Sequence, residues 1–120
     1  INESETRFYS LYEFMNFENY QKIIETFAVY PRDNELLAVS YLALGLNGEA
    51  GEVADQVKKA IRNEGQISPE RREKILDEIG DVLWYITRLA IEFDTPLAEI
   101  AQANIDKLEA RRAVGGLKHE

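Results

Sequence analysis

The sequence contains no cysteine, which excludes disulfide scaffolds, thiolate zinc sites and cysteine nucleophiles. Histidine is almost as scarce. The single His119 reads as a solvated tail residue, and its isolation disfavours both His-based metal sites and a Ser-His-Asp relay. Proline occurs three times, as Pro31, Pro69 and Pro96, each where a helix can begin or end. No apolar run approaches the roughly 20 residues a membrane span requires, so no membrane partner is expected. Positive charge is in deficit: 14 Lys and Arg stand against 22 Asp and Glu, for a formal net charge of −8. A phosphate-backbone binder is basic, so duplex nucleic acid is not an expected partner. A small anion can still bind an acidic protein where a cation bridges the two. No signal-peptide pattern is visible, and the expected setting is soluble, reducing and cytoplasmic.

What is present suits one domain. The 120 residues are 45% hydrophobic and 30% charged, which excludes wholesale disorder. A chain of this size hides only about 60–70% of its unfolded surface, so self-association would add burial. The organisation reads as an aromatic N-terminal segment (1–17, with Phe8, Tyr9, Tyr12, Phe14 and Phe17), a helical domain (18–112) and a C-terminal tail (113–120). Within the domain, apolar residues recur at spacings of three and four. A short helix is expected over 18–29, ended by Tyr30-Pro31. A second runs over 34–61, capped by Asp33 or Asn34. A third covers 69–93 behind a Ser68-Pro69 start signal, and a fourth covers 96–112 behind Thr95-Pro96. No period-two strand is apparent. The expected fold class is all-α, a four-helix bundle.

The second helix carries Glu49 and Glu52, the third Glu78 and Asp81. Each pair is spaced i, i+3 and shares a helix face. At about 100° per residue, both pairs border the apolar stripe of their helix instead of opposing it. Two such helices packed antiparallel bring four acids to the edge of the core. In the plain alternative the acids are solvated or pair with Lys59, Lys74 or Arg88, and exposed pairs of that kind contribute little. Gathered carboxylates repel one another, and a hard divalent cation removes that cost. An all-oxygen set without Cys or His selects Mg²⁺, Mn²⁺ or Ca²⁺ over Zn²⁺. Gly45, Gly48 and Gly51 repeat inside the second helix, each costing up to about 1 kcal/mol against Ala, and imply close approach of a backbone or ligand. Trp84, off the main stripe, suits a subunit interface. A ferritin-like di-metal bundle would need Glu-x-x-His pairs, and no histidine is available for them.

The run Leu44-Gly-Leu-Asn-Gly-Glu-Ala-Gly-Glu-Val53, followed by Glu78-Ile-Gly-Asp81, resembles the MazG-like family of all-α nucleoside triphosphate pyrophosphohydrolases. That family is marked by ExxE, a variable spacer and ExxD; here 25 residues separate Glu52 from Glu78. Tyr20-Gln21, Lys58-Lys59, Asn104-Ile-Asp-Lys107-Leu108 and Arg111 extend the likeness over about 18–112. The resemblance implies a homodimer or homotetramer that uses Mg²⁺ to cut a nucleoside triphosphate into monophosphate and pyrophosphate. By position it implies metal-binding and catalytic roles for Glu49, Glu52, Glu78 and Asp81. It makes Lys59, Tyr85, Asn104 and Lys107 candidate substrate contacts. Dimeric dUTPases and phosphoribosyl-ATP pyrophosphohydrolases share the core, so base and sugar stay open. Asn104 interrupts the fourth helix's stripe (Leu97, Ile100, Ala101, Ile105, Leu108), where burial would demand a bonding partner. The competing reading is a non-catalytic helical oligomerisation module with solvated acidic faces.

Overall fold

The structure, a computed structural model, describes residues 14–116. His119 and the aromatics Phe8, Tyr9 and Tyr12 lie outside the described residues. Among the described residues the architecture is all-α, with four helices and no strand. None of these helices is long and apolar enough to cross a membrane.

Helix α1 spans Phe17–Ile24 and tightens into a 3₁₀ turn over Glu25–Phe27. Asn16 caps it, its side-chain oxygen accepting from the Asn19 N–H at 2.8 Å. Helix α2 spans Glu35–Lys59 and passes into a π-helical turn over Ala60–Glu64. Of the two expected caps Asn34 is the one used, accepting from the Leu37 N–H at 2.9 Å. Gly65, at φ 68°, reverses the chain in the left-handed region that glycine tolerates. Helix α3 spans Pro69–Glu92, with Ser68 capping the Arg71 N–H at 3.1 Å and Pro69 in the first turn, as the start signal required. Helix α4 spans Leu97–Ala113.

The start of α4 differs from expectation. Thr95 does not cap it; its hydroxyl donates to the Phe93 carbonyl at 2.9 Å. The Leu97 N–H instead donates to Gln21 Oε1 of α1 at 2.6 Å. A residue distant in sequence thereby satisfies one of the orphan donors that every helix start leaves.

Helices α2 and α3 form the principal hairpin. Arg71 fastens its turn, donating to Glu64 at 2.8 Å and to Gln56 at 2.6 Å. The core between elements is small: Ile23, Ile24, Ala38, Leu42, Ala60, Ala90 and Leu97 are buried. Two polar side chains are buried with them. Thr87 donates back to the Leu83 carbonyl at 2.7 Å. Arg88, wholly buried, donates to Tyr30 Oη at 3.0 Å, pairs with Glu25 and lies 3.7 Å from Glu92. It therefore fixes the segment after α1 onto α3 and does not meet the four acids. Tyr30 stacks on Tyr41 with ring centroids 5.9 Å apart, and Trp84 meets Tyr30 and Tyr85 edge-on. Trp84 is thus part of an aromatic cluster within the protomer.

Much of the expected apolar stripe stays exposed in the single chain, including Leu36, Ile61, Ile79 and Ile86. In α4 only Leu97 is buried; Ile100, Ile105 and Leu108 are exposed. Asn104 is exposed too, which corrects the expectation of a buried amide. The reason is physical: among the described residues, α4 meets α1 and α3 with no element covering its outer stripe.

Candidate functional site

The hairpin's antiparallel register assembles the site. As α2 proceeds from Gly45 to Glu49, the facing positions of α3 run back from Tyr85 to Asp81 and Glu78. Carboxylate oxygens of Glu49, Glu78 and Asp81 lie within 4.8 Å of one another. Glu49 and Glu78 are half-buried and Asp81 is exposed. Glu52, one turn beyond Glu49 and exposed, stands outside this trio, although its charge reaches Glu78.

Electrostatics single out Glu78. Partial desolvation, then a hydrogen bond with Glu49, then the charges of Glu49, Asp81 and Glu52 raise its pKa above the ordinary glutamate value. Among the described residues no Lys or Arg forms an ion pair with any of the four acids. Lys59 pairs with Asp55 at 2.8 Å, Lys58 with the same carboxylate at 3.1 Å, and Arg88 with Glu25. The ion pairs of the plain alternative are therefore not what the described residues contain, although Glu52 and Asp81 are solvated. The cluster is one-signed, all-oxygen and drawn from two helices, and such a donor set fits a hard divalent cation.

Tyr85 stands beside this cluster. Its ring lies flat against the α2 backbone at Gly45, where a Cβ would come within 2.1 Å of Cε1. This accounts for one of the three helical glycines. Gly48 and Gly51 have nothing within 4 Å of such a Cβ. The pKa of the Tyr85 phenol is raised by burial first and then by the nearby Tyr41, Glu49 and Asp81. Tyr41 escaped the sequence reading. Its wheel position, about 80° from Glu49 on the side of Glu52, was the available signal.

The structure does not bring Lys59, Asn104 or Lys107 into the acid trio. Lys59 is engaged by Asp55 along α2. Asn104 and Lys107 line a groove of about 330 Å³ on α4 with Ile100 and Ala103, and none of the acids borders it.

Comparisons with known proteins agree with this geometry. The MazG nucleotide pyrophosphohydrolase domain matches residues 38–114, which include all four acids, Tyr85, Asn104 and Lys107. The chain is also 38% identical over 105 residues to the Gene 37 protein of Mycobacterium phage L5, covering 84% of this chain and 92% of that protein. No solved structure matches. With all four helices in place, two of them bearing the paired acids and the family match covering more than half its length, the chain belongs to the MazG nucleotide pyrophosphohydrolase domain family.

Proposed function

We propose that the protein hydrolyses a nucleoside triphosphate, a dNTP or modified NTP, to the monophosphate and pyrophosphate. Magnesium, or manganese in its place, would be held by Glu49, Glu78 and Asp81, with Glu52 completing the set. One observation carries the reading: three carboxylates from two helices converge within 4.8 Å with no basic partner among the described residues. Family membership supports the same chemistry.

In that reaction a water oxygen attacks the α-phosphorus, the bridging bond to the β-phosphate breaks, and pyrophosphate leaves with the bridging oxygen. The cation supplies neutralisation of the polyphosphate and acidification of water. The chain's own part is positional. A carboxylate of the cluster orients the attacking water and accepts its proton. Tyr85, seated on Gly45, presents its hydroxyl beside Glu49 as a neutral donor to substrate oxygen. Asn104 and Lys107 offer an amide and a point charge for phosphate on α4. They can serve the same substrate only where a second copy or a movement of α4 brings the groove to the acids.

The exposed stripe favours self-association, as homodimer or homotetramer. Ile100, Ile105 and Leu108 on α4, with Leu44, Ile79 and Ile86 on the hairpin, leave more large apolar side chains in water than a monomer ordinarily carries. Light scattering at tens of micromolar should give at least a dimer, and a monomer there would refute the association.

Pyrophosphate release from a panel of nucleotides, with and without Mg²⁺, tests the activity. Mg²⁺-dependent release, abolished in Glu49→Gln and Asp81→Asn, is expected. A folded protein that releases no pyrophosphate from any of them, with either metal, would leave the non-catalytic oligomerisation module as the better reading.

A further inference from the structure

Tyr30 lies outside the helices, in the segment that joins α1 to α2, yet it touches both arms of the hairpin. Its ring stacks on Tyr41 of α2 at 5.9 Å, with the planes 11° apart, and meets Trp84 of α3 edge-on at 6.2 Å. Its hydroxyl donates to Glu92 and accepts from the buried guanidinium of Arg88 at 3.0 Å. Arg32 and Arg88 lie 5.3 and 5.7 Å from the ring centroid, within cation–π reach. A side chain with two hydrogen-bond partners, two ring neighbours and two cations about it is held in one orientation. Trp84 passes that constraint on, because it packs edge-on against Tyr85 at 5.0 Å. Tyr85 in turn rests on Gly45 and feels the charges of Glu49 and Asp81. Ring contacts therefore connect a residue ahead of the hairpin to a phenol beside the acids.

We propose that Tyr30 is a positioning residue for the reaction: its ring, acting through Trp84, holds Tyr85 where the Tyr85 hydroxyl meets substrate oxygen. The inference rests on the proposed role of Tyr85 beside the metal-binding acids. Gly45 supports the Tyr85 ring from α2, and Trp84 is the ring packed against its other neighbours on α3. Trp84 is itself backed by Tyr30. The two parts of Tyr30 have different duties. The ring makes the contacts that lead to Tyr85, whereas the hydroxyl ties the segment to Arg88 and Glu92. Activity should therefore follow the ring and stability the hydroxyl, which separates positioning from plain structural support.

The test is steady-state pyrophosphate release by the full chain, in Mg²⁺, from a nucleotide it cleaves. The variants are Tyr30→Leu, Tyr30→Phe, Tyr85→Phe and the double variant Tyr30→Leu with Tyr85→Phe. Tyr85→Phe deletes a hydrogen bond to a charged oxygen and should lower kcat/KM by about ten- to a hundredfold. Tyr30→Leu should lose at least about fivefold, as a small displacement of a substrate contact does. The double variant should lose no more than Tyr85→Phe alone, because both changes remove the same contact. Tyr30→Phe should keep kcat/KM within about twofold of native while melting earlier. Trp84, the single tryptophan, adds a signature that does not depend on turnover. Acrylamide quenching of its fluorescence should rise in Tyr30→Leu and stay native in Tyr30→Phe. If Tyr30→Leu does not fold, Trp84→Leu replaces it in the cycle with the same expectation, since it breaks the link and leaves the hydrogen bonds of Tyr30 in place. A folded Tyr30→Leu with native kcat/KM or native quenching would overturn the inference. Losses that multiply in the double variant would do the same, because Tyr30 would then act without Tyr85. So would a Tyr30→Phe that loses as much activity as Tyr30→Leu. If Tyr85→Phe is silent in a chain that releases pyrophosphate, the role of Tyr85 fails and this inference with it. If the native chain releases none from any nucleotide, it is the reading of the acids that fails.

Discussion

Gly45→Ala isolates the contact that seats Tyr85. A Cβ at Gly45 would lie 2.1 Å from Tyr85 Cε1 and 2.5 Å from Cζ, far inside van der Waals contact. The ring cannot simply swing away, because Trp84 packs edge-on against it at 5.0 Å. Gly48→Ala and Gly51→Ala in the same helix meet nothing within 4 Å and serve as controls. Each control should gain about 0.5–1 kcal/mol from helix propensity alone. At Gly45 the same gain is opposed by overpacking of about 1–3 kcal/mol. The variant should therefore be about 0–2.5 kcal/mol less stable than the native chain and about 1–3 kcal/mol less stable than either control. For a domain of this size that separation is roughly 3–15 °C in Tm. Thermal and urea melts followed by circular dichroism read it directly. The decisive measurement is a double-mutant cycle. In a Tyr85→Ala background the obstacle is gone, and Gly45→Ala should become as stabilising as Gly48→Ala. If Gly45→Ala melts with its controls in the native background, the ring does not need the glycine, and the seating argument is wrong.

Other perturbations follow from the same contacts. Arg88→Leu removes the guanidinium's bonds to Glu25 and Tyr30 and should cost about 1–3 kcal/mol by urea melts. The loss stays modest because the Tyr30 hydroxyl still donates to Glu92, and half-exposed Glu25 keeps Arg32 at 3.7 Å. Gln21→Ala removes the acceptor for the Leu97 N–H and should cost about 1 kcal/mol, read as an earlier melt. For Glu78, whose pKa is raised in the folded state, the native protein binds more protons than the unfolded chain between the ordinary and the raised value. Stability should therefore fall as pH rises through that window, with no further loss above it. Glu78→Gln should flatten this slope and leave the metal-free protein at least as stable at neutral pH. A slope that persists in the variant would assign it to another group.

Local signals carried most of the fold. Asn34, Ser68-Pro69 and the three-and-four spacing of apolar residues placed α2 and α3 within a few residues, because capping and amphipathic periodicity are properties of adjacent sequence. The pairing of acids at i, i+3 on both helices was equally legible. What escaped was decided by contacts between distant segments. Nothing near Leu97 indicated that Gln21 would satisfy its N–H. Nothing near Arg88 indicated that a guanidinium on an apolar helix would meet Glu25 and Tyr30. The stripe of α4 misled in the opposite direction. Its spacing promised burial, but a stripe says only that something covers it, and among the described residues nothing does so beyond Leu97.

The polar contacts that escaped the sequence are also those that determine where the acids sit. Glu49, Glu78 and Asp81 repel one another, so the local electrostatics favour any slippage that separates them. Two clusters oppose such slippage from either side along α3. Near the hairpin turn, Arg71 binds Glu64 and Gln56, so axial displacement of α3 against α2 would break charge-assisted bonds. Beyond the acids, Arg88 is wholly buried, and a shift of one helical turn, about 5.4 Å, would leave its charge without Glu25 or Tyr30. Breaking a buried pair costs about 3–5 kcal/mol, more than relief of repulsion among partly exposed carboxylates returns. Tyr30 carries the constraint across to α2 by stacking on Tyr41, and Trp84 links it edge-on to Tyr85, which is seated on Gly45. The register that places three like charges together is thus held by opposite charges on both sides, and the acids meet in the interval between them.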